Sequence, residues 1–589
     1  MSFTNTFLVE IDGTPLPADI APLLVAALVD DSQRYPDLFE LRFRDPLHVV
    51  LPKSGAKVGS VVKVSVSTSE SKAPLPLMTG EITALQAEFD AGGTFTVLRG
   101  YDAAHRLFRG RRTEAYTQMT ASDIALKVAQ RAGLRTGEVT STTTVHEHVS
   151  QAGTSDWDLV QRLAADVGFE VTVREGKFGF GPPTAASGAP AAGGPANRDP
   201  LVLRLGADLL RFRAVVTSAD QVKEVEVRGW DTATKQALTA TKPAVTTSVV
   251  LPDVDPAKLA KTFGDARYVA SDVPHRTQAE VDVAAAALAE AVAGGYAELE
   301  GVARGNPEVR AGTAITVDGL GSPFDGKYTV TTSRHRLDPT TGYTTSFSVT
   351  GVRDRTMLGL AGGGGPATTA PAGVVVAVVD DVNDPEKTGQ VRLRYPWLDD
   401  QYVSGWARTV QAGAGKDRGA LVLPEVGDEV LVGFEQGDFR RPYVLGGLYN
   451  GVDQPSTQGI PAVDGGRGTV NRRSMVSRRG HRVDLLDEDG RTEGVALASG
   501  NGKVSLTLDA TGTKVTVHSD GTVLIEGTQG ITVDSSSAKL ELKGGQVSIT
   551  ATQGVTVDGG AGPVKVSGST LDLKGTATAS LSAALVKIN

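Results

Sequence analysis

The chain of 589 residues contains no cysteine. That excludes disulfides and thiolate metal sites, and it means that an oxidising exterior costs the fold nothing. No run of about eighteen apolar residues is present, so a membrane-spanning helix is not expected. The opening MSFTNTFLVEIDG has neither the basic nor the apolar region of a signal peptide. Cytoplasmic assembly without a secretory leader follows as an expectation, and any exit from the cell would use another route. Charge of one sign is not in excess: the formal net charge of −9 is small for this length and argues against nucleic acid as the main partner. Aromatic residues make up only 5% of the chain and none follows Tyr449, which removes the exposed shelves that a glycan-binding rod would need. The patterns GxSxG, HExxH and GxxxxGKS/T do not occur, so no catalytic residue, metal or cofactor is expected.

Glycine, by contrast, is abundant at 69 residues, pointing to many turns and a chain that is mainly β with minor α. The most regular texture lies in the last ninety or so residues, where pairs of apolar residues recur about every eight positions with one polar residue between them. The series runs Leu506/Leu508, Val515/Val517, Val523/Ile525, Ile531/Val533, Leu540/Leu542, Val547/Ile549, Val555/Val557, Val564/Val566 and Leu571/Leu573, with Val586/Ile588 at the end. Gly, Ser, Thr, Asp and Lys separate the pairs, so each unit reads as a short strand followed by a turn. Two inward side chains per unit make a thin core, which closes most simply when several identical chains wrap one axis. The expected form is a trimeric β-helix with these pairs inside it. A single-chain coil of three octads per turn is the alternative, and particle mass separates the two.

Composition shifts divide the rest. PPTAASGAPAAGGPANRDP, residues 182–200, reads as a surface loop or linker, and AGGGGPATTAPAG, residues 361–373, reads as a domain boundary. The expected organisation is a first region over 1–365, a small barrel over 373–450, a polar connector over 451–503 and the octads over 504–589. In the first region MTASDIALKVAQRAGL predicts a helix capped by Thr120 with Asp123 and stopped at Gly133. SDWDLVQRLAADVGF predicts another, capped by Ser155 with Asp158, burying Trp157, Val160, Leu163, Ala164 and Val167 and ending at Gly168. Phe169, Val171 and Val173 then alternate into a turn at Glu175-Gly176 and return through Phe178 and Phe180. The alanine-rich stretch 277–293 predicts a third helix. Six runs between 373 and 450 (GVVVAVV, QVRLRYP, SGWARTV, GALVLP, DEVLVGFE, YVLGGLY) supply strands for a closed barrel.

The blocks HVSQAGTSDWDLVQRLAADVGFEVTV, GNPEVRAGTAITVDG, GKYTVTTSRH and GYTTSFSVTGVR resemble the hub region of the VgrG family, itself similar to the phage tail hub protein. NDPEKTGQVRLRYPWL, VSGWARTVQAGAG and LPEVGDEVLVGFEQGDFRRPYVLGGLYNG look like the OB-fold module that caps the central spike of contractile phage tails. Hub, OB barrel and β rod in one polypeptide is the order of VgrG spikes and of the spikes of extracellular injection particles, the branch its opening and OB segments look closer to. The resemblance implies tail-hub barrels, two per chain with helical insertions, and a homotrimer contacting the inner tube protein and baseplate proteins at the hub end. It implies transient contact with a target membrane, release as part of a phage tail-like particle, and a PAAR-like tip protein on Leu585, Val586, Lys587, Ile588 and Asn589, with any toxin carried separately. An adhesive tail fibre is the rival reading.

Several residue groups offer candidate sites. Arg392, Arg394, Arg408, Arg440 and Arg441 are offset by Asp380, Asp381, Asp384, Glu425, Asp428, Glu429, Glu435 and Asp438, which argues against a nucleic-acid groove on the barrel. DVNDPEKTG at Asp381 lacks the spacing of a calcium loop. His146 and His148 share a strand face with no third ligand nearby in sequence. Asp487, Glu488 and Asp489 read as a solvated hairpin turn in an interval too short for a muramidase domain.

Overall fold

The computed structural model describes residues 6–68, 73–192, 199–351 and 373–588. The boundary stretch at 361–373 lies outside them except for Gly373, and so does part of the loop 182–200. The chain forms two compact units, residues 1–455 and 456–589.

The first unit is organised by one antiparallel sheet of eleven strands. One half comprises Thr6–Ile11, Thr14–Pro15, Leu24–Ser32, Leu38–Arg44, Val61–Ser67, Leu75–Asp90 and Gly93–Tyr101; the other comprises Leu209–Val216, Ala297–Arg304, Thr332–Asp338 and Gly342–Val349. The two groups are joined where Leu24–Ser32 pairs with Thr332–Asp338 in the register Val29 to His335. Strict alternation sets the faces: Phe39, Leu41 and Phe43 are fully buried, while Glu40 and Arg42 between them point outward to Arg99 and Glu88, each at 2.7 Å. Gly100 makes room for this packing, since a Cβ there would lie 2.0 Å from the Glu81 carbonyl oxygen and 2.5 Å from the Phe39 ring.

Three helices form as expected, each with a reciprocal capping box: Ala121–Arg131 under Thr120, Asp156–Val167 under Ser155, and Gln278–Ala293 under Thr277. Gly168 closes the second in the left-handed region at φ 69°. Trp157, Val160, Leu163 and Ala164 are buried with Ile124, Val128, Phe178 and Phe180 in one core. The hairpin Glu170–Arg174 to Lys177–Gly181 turns at Glu175 and Gly176, whose φ values of 52° and 71° are those of a type I′ turn.

Residues 375–447 build a five-stranded sheet in the order Arg392–Arg394, Val375–Asp381, Glu429–Phe434, Pro442–Gly447, Arg408–Thr409. Its core holds Ala377, Val379, Leu393, Tyr395, Tyr402, Val430, Val432 and Phe439. One expected strand differs: in GALVLP only Gly419 is paired, and Leu421 and Val422 are 73% and 63% exposed. Gly419 sits at φ 133°, which turns the chain away from the sheet after the hairpin Ala414–Gly415 to Arg418–Gly419.

Candidate functional site

Three regions of the chain carry more structure than a core requires. The first is the seam between the hub and the small barrel. The strand pair Arg112–Thr120 and Val145–Thr154 carries Ala115 and Ala152 onto the barrel core. There Ser150 Oγ and the Tyr402 hydroxyl lie 2.5 Å apart, and the His148 Nε2 lies 3.2 Å from the Val403 carbonyl oxygen. Beside this contact sits a chain of charges. Arg440 pairs with Asp438 at 2.8 Å and with Asp166 at 3.6 Å; Arg441 faces Glu280 at 3.6 Å, and Arg276 faces Glu435 at 3.3 Å. Burial pushes the Asp438 carboxyl up, but Arg440 outweighs it and holds the group below its ordinary range. Burial also lowers the His146 and His275 imidazoles, with Arg440 and Arg441 acting in the same direction against Glu280 and Asp166. The seam is therefore a cross-linked joint that fixes the barrel on the hub. Arg440, Arg441, Glu435 and Asp438 read in the sequence only as scattered surface charge because, apart from the local Arg440–Asp438 pair, their partners lie 159 or more residues away.

The second region is a hub cavity lined by Asp37, Asp102, Glu138, Glu170, Arg174, Lys177 and Arg310 among others. Arg310 Nε donates to Asp31, and its Nη2 lies 3.8 Å from Asp37. The Asp37 carboxylate accepts from the Ser32 amide at 3.1 Å, and Asp102 accepts from the Ala104 amide at 3.1 Å. Burial, with Asp31 beside it, raises the Asp37 carboxyl well above its ordinary range; burial pushes Asp102 up to about 8 and Glu170 up to about 7. Burial outweighs the nearby cations Arg310 and Arg174, so these carboxyls hold their protons to higher pH than exposed ones do.

The third region is the C-terminal unit, where strand pairing crosses the boundary expected at 503/504. The stretch 451–503, expected as a connector, contains the strands Arg472–Val476, Arg482–Glu488 and Thr492–Ala498. These continue through Val504–Asp509 and Lys514–Ser519 in one five-stranded antiparallel meander. Leu506, Leu508, Val515 and Val517 therefore belong to this sheet, in the pairs Leu506 to Val517 and Leu508 to Val515, rather than to a free octad repeat. Two-residue spacing of apolar residues is common to both forms, so the pairs alone did not reveal where the meander ends. The register collects Met475, Val483, Leu485, Val495, Leu497, Val504, Leu506, Leu508, Val515 and Val517 on one face. Met475 is 63% exposed, Val515 66% and Val517 61%. The opposite face carries Ser474, Asp484, Thr507 and Thr516. Asp484 is buried there among Ser474 and Arg482, and Arg472 reaches back to the Ser456 carbonyl at 2.8 Å. On the polar face the chain buries Asp484, while the apolar face stands largely open, the inverse of a self-sufficient domain.

From Asp520 onward no strand occurs among the described residues, and all but Ser535 are exposed. Val523, Ile525, Ile531, Val533, Leu540, Leu542, Val547, Ile549, Val555, Val557, Val564, Val566, Leu571 and Leu573 are between 52% and 72% exposed, and Leu585, Val586 and Ile588 likewise face solvent. Asn589 lies outside the described residues.

The remaining candidates do not converge on chemistry. His148 is held at Val403, and His146 lies across the strand pair from Met119. Asp384 spends its carboxylate on the Glu386, Thr388 and Gln390 amides of its own loop. Asp487, Glu488 and Asp489 flank a hairpin turn and face Arg473, Arg491 and Arg467. Among the described residues no group of three or more His, Cys, Asp or Glu could hold a metal ion, and no helix is long and apolar enough to cross a membrane.

The family model for the type VI secretion system/phage-baseplate injector OB domain matches residues 375–449, and that for the Alg8 N-terminal domain matches residues 68–338. The type VI secretion system spike protein VgrG1c of Pseudomonas aeruginosa is 32% identical over 108 residues, 18% of this chain and 15% of its own length. The actin cross-linking toxin VgrG1 of Vibrio cholerae is 33% identical over 76 residues, 12% of this chain and 7% of its own. The chain thus spans under a fifth of the length of the curated relatives it matches. Among solved structures, the E. coli c3393 protein, a component of the type VI secretion system, aligns over 76% of this chain and 100% of its own at 17% identity and a TM-score of 0.44. The Francisella PdpA-VgrG complex aligns over 88% and 80% at 8% identity and a TM-score of 0.49. The resemblance read from the sequence is borne out by the OB domain and by relatives named as spike proteins.

Proposed function

We propose that this chain, a relative of the VgrG spike proteins, is the structural hub and spike of a contractile injection machine. Three copies would assemble with the hubs at one end and the repeats wound into a rod at the other. The single observation that carries the reading is the order of parts. A hub with a broad antiparallel sheet leads into an injector OB domain, and that into a series of apolar pairs that one chain leaves in solvent. Side chains so regularly spaced and so exposed are stable only when shared among copies. Two similar barrels per chain, as the family resemblance implies, would let a threefold spike meet a sixfold inner tube and its baseplate. The rod would transmit thrust to a target envelope through continuous ladder bonds that leave few free edges. A PAAR-like tip would cover the rod end near Leu585 to Asn589. An adhesive fibre finds less support, since aromatics end at Tyr449.

Sedimentation of the full-length protein tests this directly. The expected particle contains three chains of 61.2 kDa, and electron microscopy should show a globular head with a thin rod. Replacing Ile549 and Val557 with Asp should destroy the protease-resistant rod while the hub stays folded. A dilution-stable monomer, or a rod unaffected by both charges, would end the proposal.

A further inference from the structure

We infer that the five-stranded meander of residues 472–519 is the register clamp of the spike: its open apolar face packs against the same face of two further copies, and this contact sets the alignment of the repeats below. The inference rests on the trimeric reading and adds to it a division of labour. Each strand of the meander pairs with the next one along the chain across a short turn. The sheet can therefore form before any copies meet, because local pairing carries little loop-closure cost. It then presents Met475, Val483, Leu485, Val495 and Leu497 as a finished surface, with the charged edge neutralised by Arg473 and Asp487 at 2.7 Å. Residues after Asp520 have no such internal partners.

The repeat needs such a clamp for a physical reason. Its units are nearly interchangeable: sliding one chain by an octad exchanges Val547/Ile549 for Val555/Val557, one apolar pair for another of almost the same volume. Strands that resemble their own translated copies specify register weakly. The meander does not repeat, so three of them match in one alignment only. The occupant is a second and third copy rather than a foreign protein because the open face runs without interruption into the repeat. Leu506, Leu508, Val515 and Val517 continue the same alternation that the octads take up at Val523. The face carries only three charged side chains, Arg473 and Asp487 paired with each other and Glu493, against ten apolar ones.

Full-length protein carrying one spin label at Thr556→Cys, the sole cysteine in the chain, reads the register as an inter-label distance by pulsed electron resonance. The parent should give trimers with one narrow distance. Val483→Asp with Leu497→Asp should lower trimer yield about tenfold, as loss of a central interface anchor does, or give trimers with several distances one octad apart. Thr516→Asp, on the opposite face of the same sheet, should leave both readouts unchanged, and Ile549→Asp should leave a trimer whose rod is cleaved below the meander. A normal yield with one narrow distance in the Val483/Leu497 variant overturns the clamp and leaves the trimeric reading intact, as does an equal loss in Thr516→Asp. A monomeric parent overturns both.

Discussion

Asp102 lies among Asp31, Asp37 and Arg310 with its carboxyl pushed up to about 8, chiefly by burial. Replacing it with Asn keeps the oxygen that accepts the Ala104 amide hydrogen bond at 3.1 Å and removes the ionisable proton. A carboxyl whose folded pKa is raised contributes stability that is complete below its unfolded value near 3.8 and is lost as pH climbs through the folded value. Across that window the unfolded chain has released the proton and the folded chain has not, so the loss runs at about 1.4 kcal/mol per pH unit. By pH 7 it reaches about 4 kcal/mol if Asp102 titrates alone, and about 2 kcal/mol if Asp37 holds part of the same proton. Asp102→Asn should therefore match the parent at pH 4.5 to within about 1 kcal/mol and exceed it by about 2 to 4 kcal/mol at pH 7.5. The opposing effect of His335, which burial lowers to about 3, is common to both proteins and cancels in the difference. Calorimetry of the hub transition at pH 4.5, 6 and 7.5 measures it. A variant less stable than the parent at pH 7.5, or a difference that does not change with pH, refutes the reasoning.

Arg440→Ala should cost about 3 kcal/mol by leaving the largely buried Asp438 carboxylate without its main partner, seen as earlier protease cleavage between hub and barrel. Phe439→Ala removes a ring stacked 4.9 Å from Phe434 and packed on Tyr395 and Tyr402. It should cost about 3 to 5 kcal/mol and lower the barrel's melting transition while the hub's stays in place. Ser155→Ala deletes the side-chain arm of a capping box, the hydroxyl that accepts from the Asp158 amide, and should cost about 1 kcal/mol by denaturant titration; Ser155→Asn should restore most of it. His335→Gln should flatten the fall in hub stability as pH drops from 6.5 toward 3, because the folded imidazole resists the proton that the unfolded one accepts.

Much of the architecture was legible in local signals. Capping residues, apolar spacing and turn residues act over a few positions, so Thr120, Ser155 and Thr277 each start a helix where the sequence says. Glu175-Gly176 likewise turns its hairpin in the expected place. The barrel's strands were legible for the same reason, save GALVLP, where composition alone suggested a strand and the backbone at Gly419 leads elsewhere. The boundary at 504 was misplaced because alternating valines and leucines look the same in a sheet that pairs with itself and in a repeat that pairs with its neighbours.

By itself the sequence determined the β-rich class, the helix ends, the injector OB segment and the existence of apolar pairs that one chain cannot bury. Periodicity and capping are properties of neighbouring residues. Only the tertiary structure decided what meets across long separations: Arg441 with Glu280, Asp31 with Arg310, Ser150 with Tyr402, and the ten apolar side chains collected on one face of the meander. Such contacts depend on how complete sheets and helices pack, and no pattern within a short window of residues encodes them.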